Sequence, residues 1–204
     1  MVSGHVIVFA KPPLLGKVKT RLIPALGPEL ALDAHLEMVS LTLSKISQLN
    51  YSAALWLSET SEKGASWGRE YSLPVEVQCS GDLGMKMLDA ISRTLAVTRE
   101  KVALIGSDCP VLSQKDINDA FLWLDQYDIV IFPCEDGGYG LIAMKQRHAE
   151  LFSQISWSTP SVMTETLDRA RDHNLSVKCG RVIWDVDYIE DWQRYQGLKE
   201  SIRN

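Results

Sequence analysis

Val6-Ile7-Val8-Phe9-Ala10 runs directly into Lys11-Pro12-Pro13-Leu14-Leu15-Gly16-Lys17-Val18-Lys19-Thr20-Arg21-Leu22. The first five residues read as a short apolar strand. The next twelve place Lys11, Lys17, Lys19 and Arg21 just past its end, in a chain whose net charge is −5. In an open α/β sheet, ligands bind beyond the carboxyl ends of the strands. Arg offers phosphoryl oxygens a planar fork and Lys a point charge, so this loop is expected to face phosphates. The plainer alternative is a solvated basic turn.

Strand-like runs then alternate with helical patterns to the end, the signature of a mostly parallel sheet. Pro28 opens a helix in which Leu32, Leu36, Val39, Leu43 and Ile46 recur every three or four residues. Ser52–Leu57 and Val75–Cys79 read as strands, and Leu83–Val97 as a helix with Met87, Ala90, Ile91, Thr94 and Leu95 inward. Val102–Ile105 is a buried strand, followed by a helix over Gln114–Gln126 with Ser113 as its N-cap. Ile129–Phe132 and Tyr139–Met144 are strands. Ser161–Asn174 is a helix stopped at Asn174, Ser176–Val182 a strand, and Ile189–Arg203 a helix. The polar stretch Glu59–Ser72 reads as a surface excursion. The 204 residues fit one αβα domain with a mixed, mostly parallel sheet.

Composition narrows the function. The acidic balance argues against nucleic acid, which calls for a basic face. No apolar run reaches the ~18 residues of a membrane span. The start of the chain lacks the order of a signal peptide. Cys79, Cys109, Cys134 and Cys179 are widely spaced, which fits a reducing cytoplasm. The basic loop is not a Walker A motif, since Gly16-Lys17 is followed by Val18, and no Gly-x-Gly-x-x-Gly follows the first strand.

Acidic residues supply the remaining chemistry. Asp108, in Gly106-Ser107-Asp108-Cys109-Pro110, ends a buried strand, where a hard cation such as Mg²⁺ could be held beside phosphates; capping the next helix is its structural alternative. Asp187, in Asp185-Val186-Asp187, could share that ion or cap the last helix. Asp136-Gly137-Gly138-Tyr139-Gly140 offers a carboxylate, a flexible turn and an aromatic, although Asp-Gly also serves simple β-turns. Gln78, Asp82, Gly84 and Lys86 flank a strand-to-helix turn and could reach a base or ribose; Asp82 equally suits a cap. His5, His35, His148 and His173 have no nucleophilic partner nearby in sequence.

Taken in order, Lys11–Leu22, Gly81-Asp-Leu-Gly84, Gly106–Pro110, Asp136–Tyr139, Trp157-Ser-Thr159 and Asp185–Asp187 resemble the DUF2064 family. This family is also called radical-SAM/selenodomain-associated transferase 1, within the nucleotide-diphospho-sugar transferase (GT-A) superfamily. The resemblance implies a GT-A αβα sandwich that binds a nucleotide sugar or nucleoside triphosphate with a divalent metal, Mg²⁺ or Mn²⁺, and acts on a small-molecule acceptor. Some members are assigned to glycosyl transfer in arsenosugar biosynthesis. By that likeness Lys11, Gly16, Lys17, Lys19 and Arg21 hold phosphates, Asp82 and Lys86 lie near the nucleotide, and Asp108 and Asp187 hold the metal. Gly137, Gly138, Tyr139 and Trp157 shape the acceptor side, with Asp108 and Asp136 catalytic. One departure is that many GT-A glycosyltransferases carry Asp-x-Asp where Asp108 is followed by Cys109-Pro110. A lone aspartate there is similar to nucleotidyltransferases, and the phospholactate guanylyltransferases carry a comparable Lys-Thr-Arg-Leu loop. Glycosyl transfer is therefore the first expectation and nucleotidyl transfer the alternative. A non-catalytic nucleotide-binding module is a third reading.

Overall fold

The computed structural model describes residues 3–203; Met1, Val2 and Asn204, the ends of the expected 1–204 domain, lie outside them. Seven strands form one mixed sheet in the order β3-β2-β1-β4-β6-β5-β7. They are β1 (Gly4–Ala10), β2 (Ser52–Leu57), β3 (Val75–Val77), β4 (Lys101–Gly106), β5 (Ile129–Pro133), β6 (Tyr139–Met144) and β7 (Val177–Cys179). Only β6 runs antiparallel to its neighbours, β4 and β5. The carboxyl ends of β1 to β5 and of β7 therefore share one edge, and the expected segments that follow β1, β3, β4, β5 and β7 emerge there.

Alternation along the strands builds two cores. On β1, Val6, Val8 and Ala10 face one side while Ile7 and Phe9 face the other. The first side is covered by α1 (Ile23–Ser47), α2 (Glu62–Glu70) and α4 (Gln114–Trp123), through Val39, Leu43, Trp67, Ile117 and Phe121. The second is covered by α3 (Leu83–Thr98), α5 (Val162–Asp172) and the 3-10 turn Ala149–Phe152, through Met87, Ile91, Ala170 and Phe152. A smaller cluster joins α1 to α6 (Ile189–Arg203), with Met38, Trp184, Val186 and Tyr195 buried. The sandwich is thus three-layered, as expected. No helix among the described residues is long and apolar enough to cross a membrane.

Several boundaries differ from the sequence reading, each for a local reason. Gly27 breaks the helical backbone at φ +80, so the turn at Ile23–Leu26 precedes the long helix that Pro28 opens. Strands β3 and β7 are shorter than expected because each lies at a sheet edge and pairs along only three residues. The largest correction is Glu59–Ser72, which contains α2 rather than a surface loop. Ser61 caps it by accepting from Gly64 N at 3.2 Å. Gly64 and Gly68 sit against Leu57 and Val75 with no room for a Cβ. That closeness lets Trp67 reach the core with 6% exposure.

Candidate active site at the carboxyl edge of the sheet

Three side chains on the inner face of α1 hold the loops of this edge. The His35 ring nitrogen Nε2 lies 2.9 Å from the Lys11 carbonyl. A carbonyl only accepts, so Nε2 carries the proton. Burial lowers the pKa of the ring, in keeping with a neutral imidazole. Thr42 donates to the Ser107 carbonyl at 3.4 Å. Lys45 Nζ donates to the carbonyls of Pro110 at 2.6 Å and Leu112 at 2.9 Å. The loops after β1 and β4 are therefore both tied to one helix.

The segment leading to α6 is fixed from the other side. Arg181 grips Asp116 with two nitrogens, at 3.1 and 2.8 Å, and donates to the Val111 carbonyl at 2.6 Å. Asp116 also completes a capping box with Ser113, which confirms Ser113 as the cap of α4. Ile183 exchanges backbone hydrogen bonds with Pro133 and Glu135, and Val186 N donates to the Asp108 carbonyl at 3.0 Å. Along this extended run Val186 is buried among the α1–α6 contacts. Asp185 and Asp187, two residues apart, both come to Asp108.

Carboxylate oxygens of Asp108, Asp185 and Asp187 lie within 4.8 Å of one another. Asp136 joins this group, since its carboxylate, that of Asp185 and the Cys134 thiol are equally close. The electrostatics show how crowded the cluster is. Burial, then the negative charges of Asp108, Asp187 and Asp136, push the Asp185 carboxyl up to about 7. Burial also raises Asp108, but the Lys19 ammonium more than reverses this and holds it below the usual carboxylate range. A set of carboxylate oxygens with excess negative charge fits a hard divalent cation such as Mg²⁺ or Mn²⁺. Asp185 is the residue the sequence reading left out of the metal site.

The four cations of the first loop divide. Lys11 and Lys17 are exposed, and neither forms an ion pair among the described residues. Gly16 turns the loop at φ +71 with open space around it. Arg21 pairs with Asp187 and lies over the Tyr188 ring, 5.2 Å from its centre. Lys19 points inward instead. Burial alone pulls its ammonium down, yet Asp108 and Asp187 carry it above its ordinary value. The Asp187 side chain makes no helix-capping hydrogen bond among the described residues; Asp191, in the first turn of α6, instead accepts from the Asp187 and Tyr188 amides, at 3.1 and 2.8 Å.

The remaining expected residues occupy two flanking loops. Asp82 caps α3 by accepting from Met85 N at 2.8 Å, which is the structural alternative for that residue, and Lys86 follows half-buried on the same turn. Asp136 accepts from Gly138 N at 2.9 Å and so forms a turn as well as joining the acidic group. Gly137 has φ +89, and its carbonyl accepts from Met163 N at 2.8 Å. Tyr139 and Trp157 are half-buried and lie side by side. Tyr139 packs into the second core beside Trp157, the rings edge to face at 6.5 Å, and Phe152 stacks on Trp157 at 6.5 Å. Trp157 is a strut beneath both loops, because its indole also fills the space beside Gly84. Sequence spacing carries no signal for that contact.

Gly84→Ala tests the strut. A Cβ there would stand 2.5 Å from Trp157 Nε1, and Phe152 and Tyr139 leave the indole little freedom to retreat. Alanine gains up to about 1 kcal/mol in helix propensity. Overpacking costs about 1–3 kcal/mol. Net destabilisation is expected, read as a lower urea midpoint with an unchanged slope; an equal or higher midpoint would show that the indole moves freely.

Comparison with known proteins bears on the fold and the family. A protein of Desulfovibrio desulfuricans G20, provisionally named a nucleotide-diphospho-sugar transferase, superposes with a TM-score of 0.87. The two are 26% identical over 94% of this chain and 85% of that one. The 4-diphosphocytidyl-2C-methyl-D-erythritol synthase of Anaerococcus prevotii DSM 20548 has a TM-score of 0.67 at 13% identity, covering 98% and 96% of the two chains. Rv0371C of Mycobacterium tuberculosis H37Rv, in complex with manganese, has a TM-score of 0.54 at 15% identity, covering 95% and 97%. No curated protein matches the chain. The family described as "Uncharacterized protein conserved in bacteria (DUF2064)" matches residues 42–159. With more than half of its length in that match and a nucleotide-diphospho-sugar transferase fold throughout, this chain belongs to the DUF2064 family.

Proposed function

We propose that the chain is one metal-dependent transferase domain that takes a nucleotide-diphospho-sugar donor and passes the sugar to a small-molecule acceptor. The observation that carries this reading is the convergence of Asp108, Asp185 and Asp187 at the sheet edge, on the same edge as the loop bearing Lys11, Lys17 and Arg21. The likeness to a provisional nucleotide-diphospho-sugar transferase and to a manganese-bound protein of the same fold supports it. Asp108, Asp185 and Asp187 would hold Mg²⁺ or Mn²⁺. When bound, such an ion neutralises the charge that gathers on a departing diphosphate. Lys11, Lys17 and Arg21 add fixed positive charge to the same oxygens, at the point where charge develops. The acceptor hydroxyl forms a bond to the anomeric carbon, the bond from that carbon to the diphosphate oxygen breaks, and the hydroxyl proton passes to Asp136. The donor leaves as a nucleoside diphosphate.

One observation favours nucleotidyl transfer as a second reading. Asp136 lies as close to Asp185 as a shared ion ligand would, so it suits the acidic cluster as well as it suits a separate base. An anionic acceptor attacking the α-phosphate of a nucleoside triphosphate needs no base, and pyrophosphate leaves.

A thermal-shift panel of nucleotide sugars and nucleoside triphosphates, with Mg²⁺, Mn²⁺ or chelator, separates the two. Ligand at about 100 times its dissociation constant adds about 2.7 kcal/mol of stability, a readily measured shift. Metal-dependent stabilisation by one nucleotide sugar, followed by nucleoside diphosphate release with an acceptor, is the expected result. Stabilisation by a triphosphate alone with pyrophosphate release would replace it with nucleotidyl transfer. Stabilisation without turnover on any acceptor would leave a binding module.

A further inference from the structure

Lys19 shares its loop with three exposed cations, yet its own side chain is 7% exposed, against 54% for Arg21. Its Nζ donates to Asp108 Oδ2 at 3.1 Å and to the Val186 carbonyl at 2.6 Å, and it stands 3.7 Å from Asp187 Oδ1. Two hydrogen bonds and one ion pair thus hold the ammonium inside the cluster. The backbone at Lys19 has φ +44, a left-handed conformation that non-glycine residues seldom adopt. Such a conformation persists where the surroundings require it, and here it turns the side chain away from solvent and into the acidic cluster. A phosphate arriving from outside meets Lys11, Lys17 and Arg21; Lys19 is already enclosed among carboxylates.

We infer that Lys19 is a positioning residue, a built-in counter-ion that holds Asp108 and Asp187 together and weakens divalent-cation binding while the nucleotide is absent. This rests on the metal site of the proposed function, and deepens it. A fixed positive charge a few ångströms from the ion site opposes a second, mobile one. The carboxylates are kept in register without a resident metal, and a divalent ion would be held firmly there only together with the diphosphate. The substrate is then the metal–nucleotide complex, and the ion exchanges with each turnover.

The test compares wild type with Lys19→Met, which keeps the aliphatic stem and removes the charge. Mn²⁺ alone is titrated into each protein, and free Mn²⁺ is read by electron paramagnetic resonance. Removing a unit charge this close should tighten Mn²⁺ binding by at least about tenfold. UDP, CDP and GDP affinities in chelator should change by less than about twofold, because Lys19 does not reach the phosphates. Lys19→Arg restores the charge and should return Mn²⁺ affinity toward wild type, which a purely packing role would not do. If Lys19→Met does not fold, Lys19→Gln keeps a donor for Asp108 and is read in the same way. Unchanged or weaker Mn²⁺ binding overturns the inference, as does a loss of nucleoside diphosphate affinity in chelator. Failure of the proposed function is read separately, as the absence of any nucleotide-sugar binding by wild type under every metal condition.

Discussion

Asp185→Asn is expected to make the metal-free protein more stable above neutral pH and to disable it at the same time. Folded Asp185 keeps its proton to about pH 7, whereas an unfolded aspartate loses it near pH 4. The group therefore favours the folded state fully below about pH 4, and this contribution is lost as pH rises through about 7. Above that pH the wild type holds an unfavourable charge beside Asp108, Asp187 and Asp136. Asparagine removes the charge, and a gain of roughly 2–4 kcal/mol follows at pH 8 with chelator present. For a chain of this length that corresponds to about 5–15 °C in Tm. At pH 5, about one unit above the unfolded value, the gain should be about a third of that at pH 8, and it should vanish below about pH 3. On the proposed reading, the same substitution removes one metal-holding oxygen and should lower turnover by about a hundredfold or more. A Tm difference independent of pH would show that Asp185 is not the strained member of the cluster.

The largest structural effect is expected from Gly137→Ala. Gly137 lies at φ +89, where an L side chain is strained, and a Cβ there would collide with the Pro160 carbonyl, which is backbone and cannot swing aside. The collision would also pull the Gly137 carbonyl from Met163 N, in the first turn of α5. Strain costs of order 1–3 kcal/mol and the steric clash about as much again. Together they predict a fall of about 5–15 °C in Tm, accompanied by early loss of hydrogen-exchange protection at Met163. A fall below about 2 °C would mean that the two loops separate easily.

The sequence reveals most of the sheet because buried strands such as Val6–Ala10 and Val102–Ile105 are apolar throughout, and their ends carry the polar motifs. α2 is hidden because its helical character is tertiary. A stretch of Glu, Ser and Gly is polar by composition, and only contact with Leu57 and Val75 shows why its glycines are needed. Asp185 is recoverable in principle: residues two apart on an extended segment share a side, so Asp187 at the site implies Asp185 there too. Lys19 is not. Four cations in one loop look alike until the fold turns one of them inward. Trp157 is equally silent, since its partners Gly84, Tyr139 and Phe152 come from three separate parts of the chain.

Synthesis runs from the amino end, and two of the carboxylates that close the acidic cluster belong to the stretch Arg181–Asp187. A nascent chain can form β1, α1 and β4 and present Asp108 while Asp185 and Asp187 are still inside the ribosome. At that stage Lys19 has Asp108 to face but lacks both Asp187 and the Val186 carbonyl. The cluster is thereby closed late: a chain stalled before residue 185 has all seven strands but lacks two of the three carboxylates. Only a chain synthesised past residue 187 can bring all three carboxylates together.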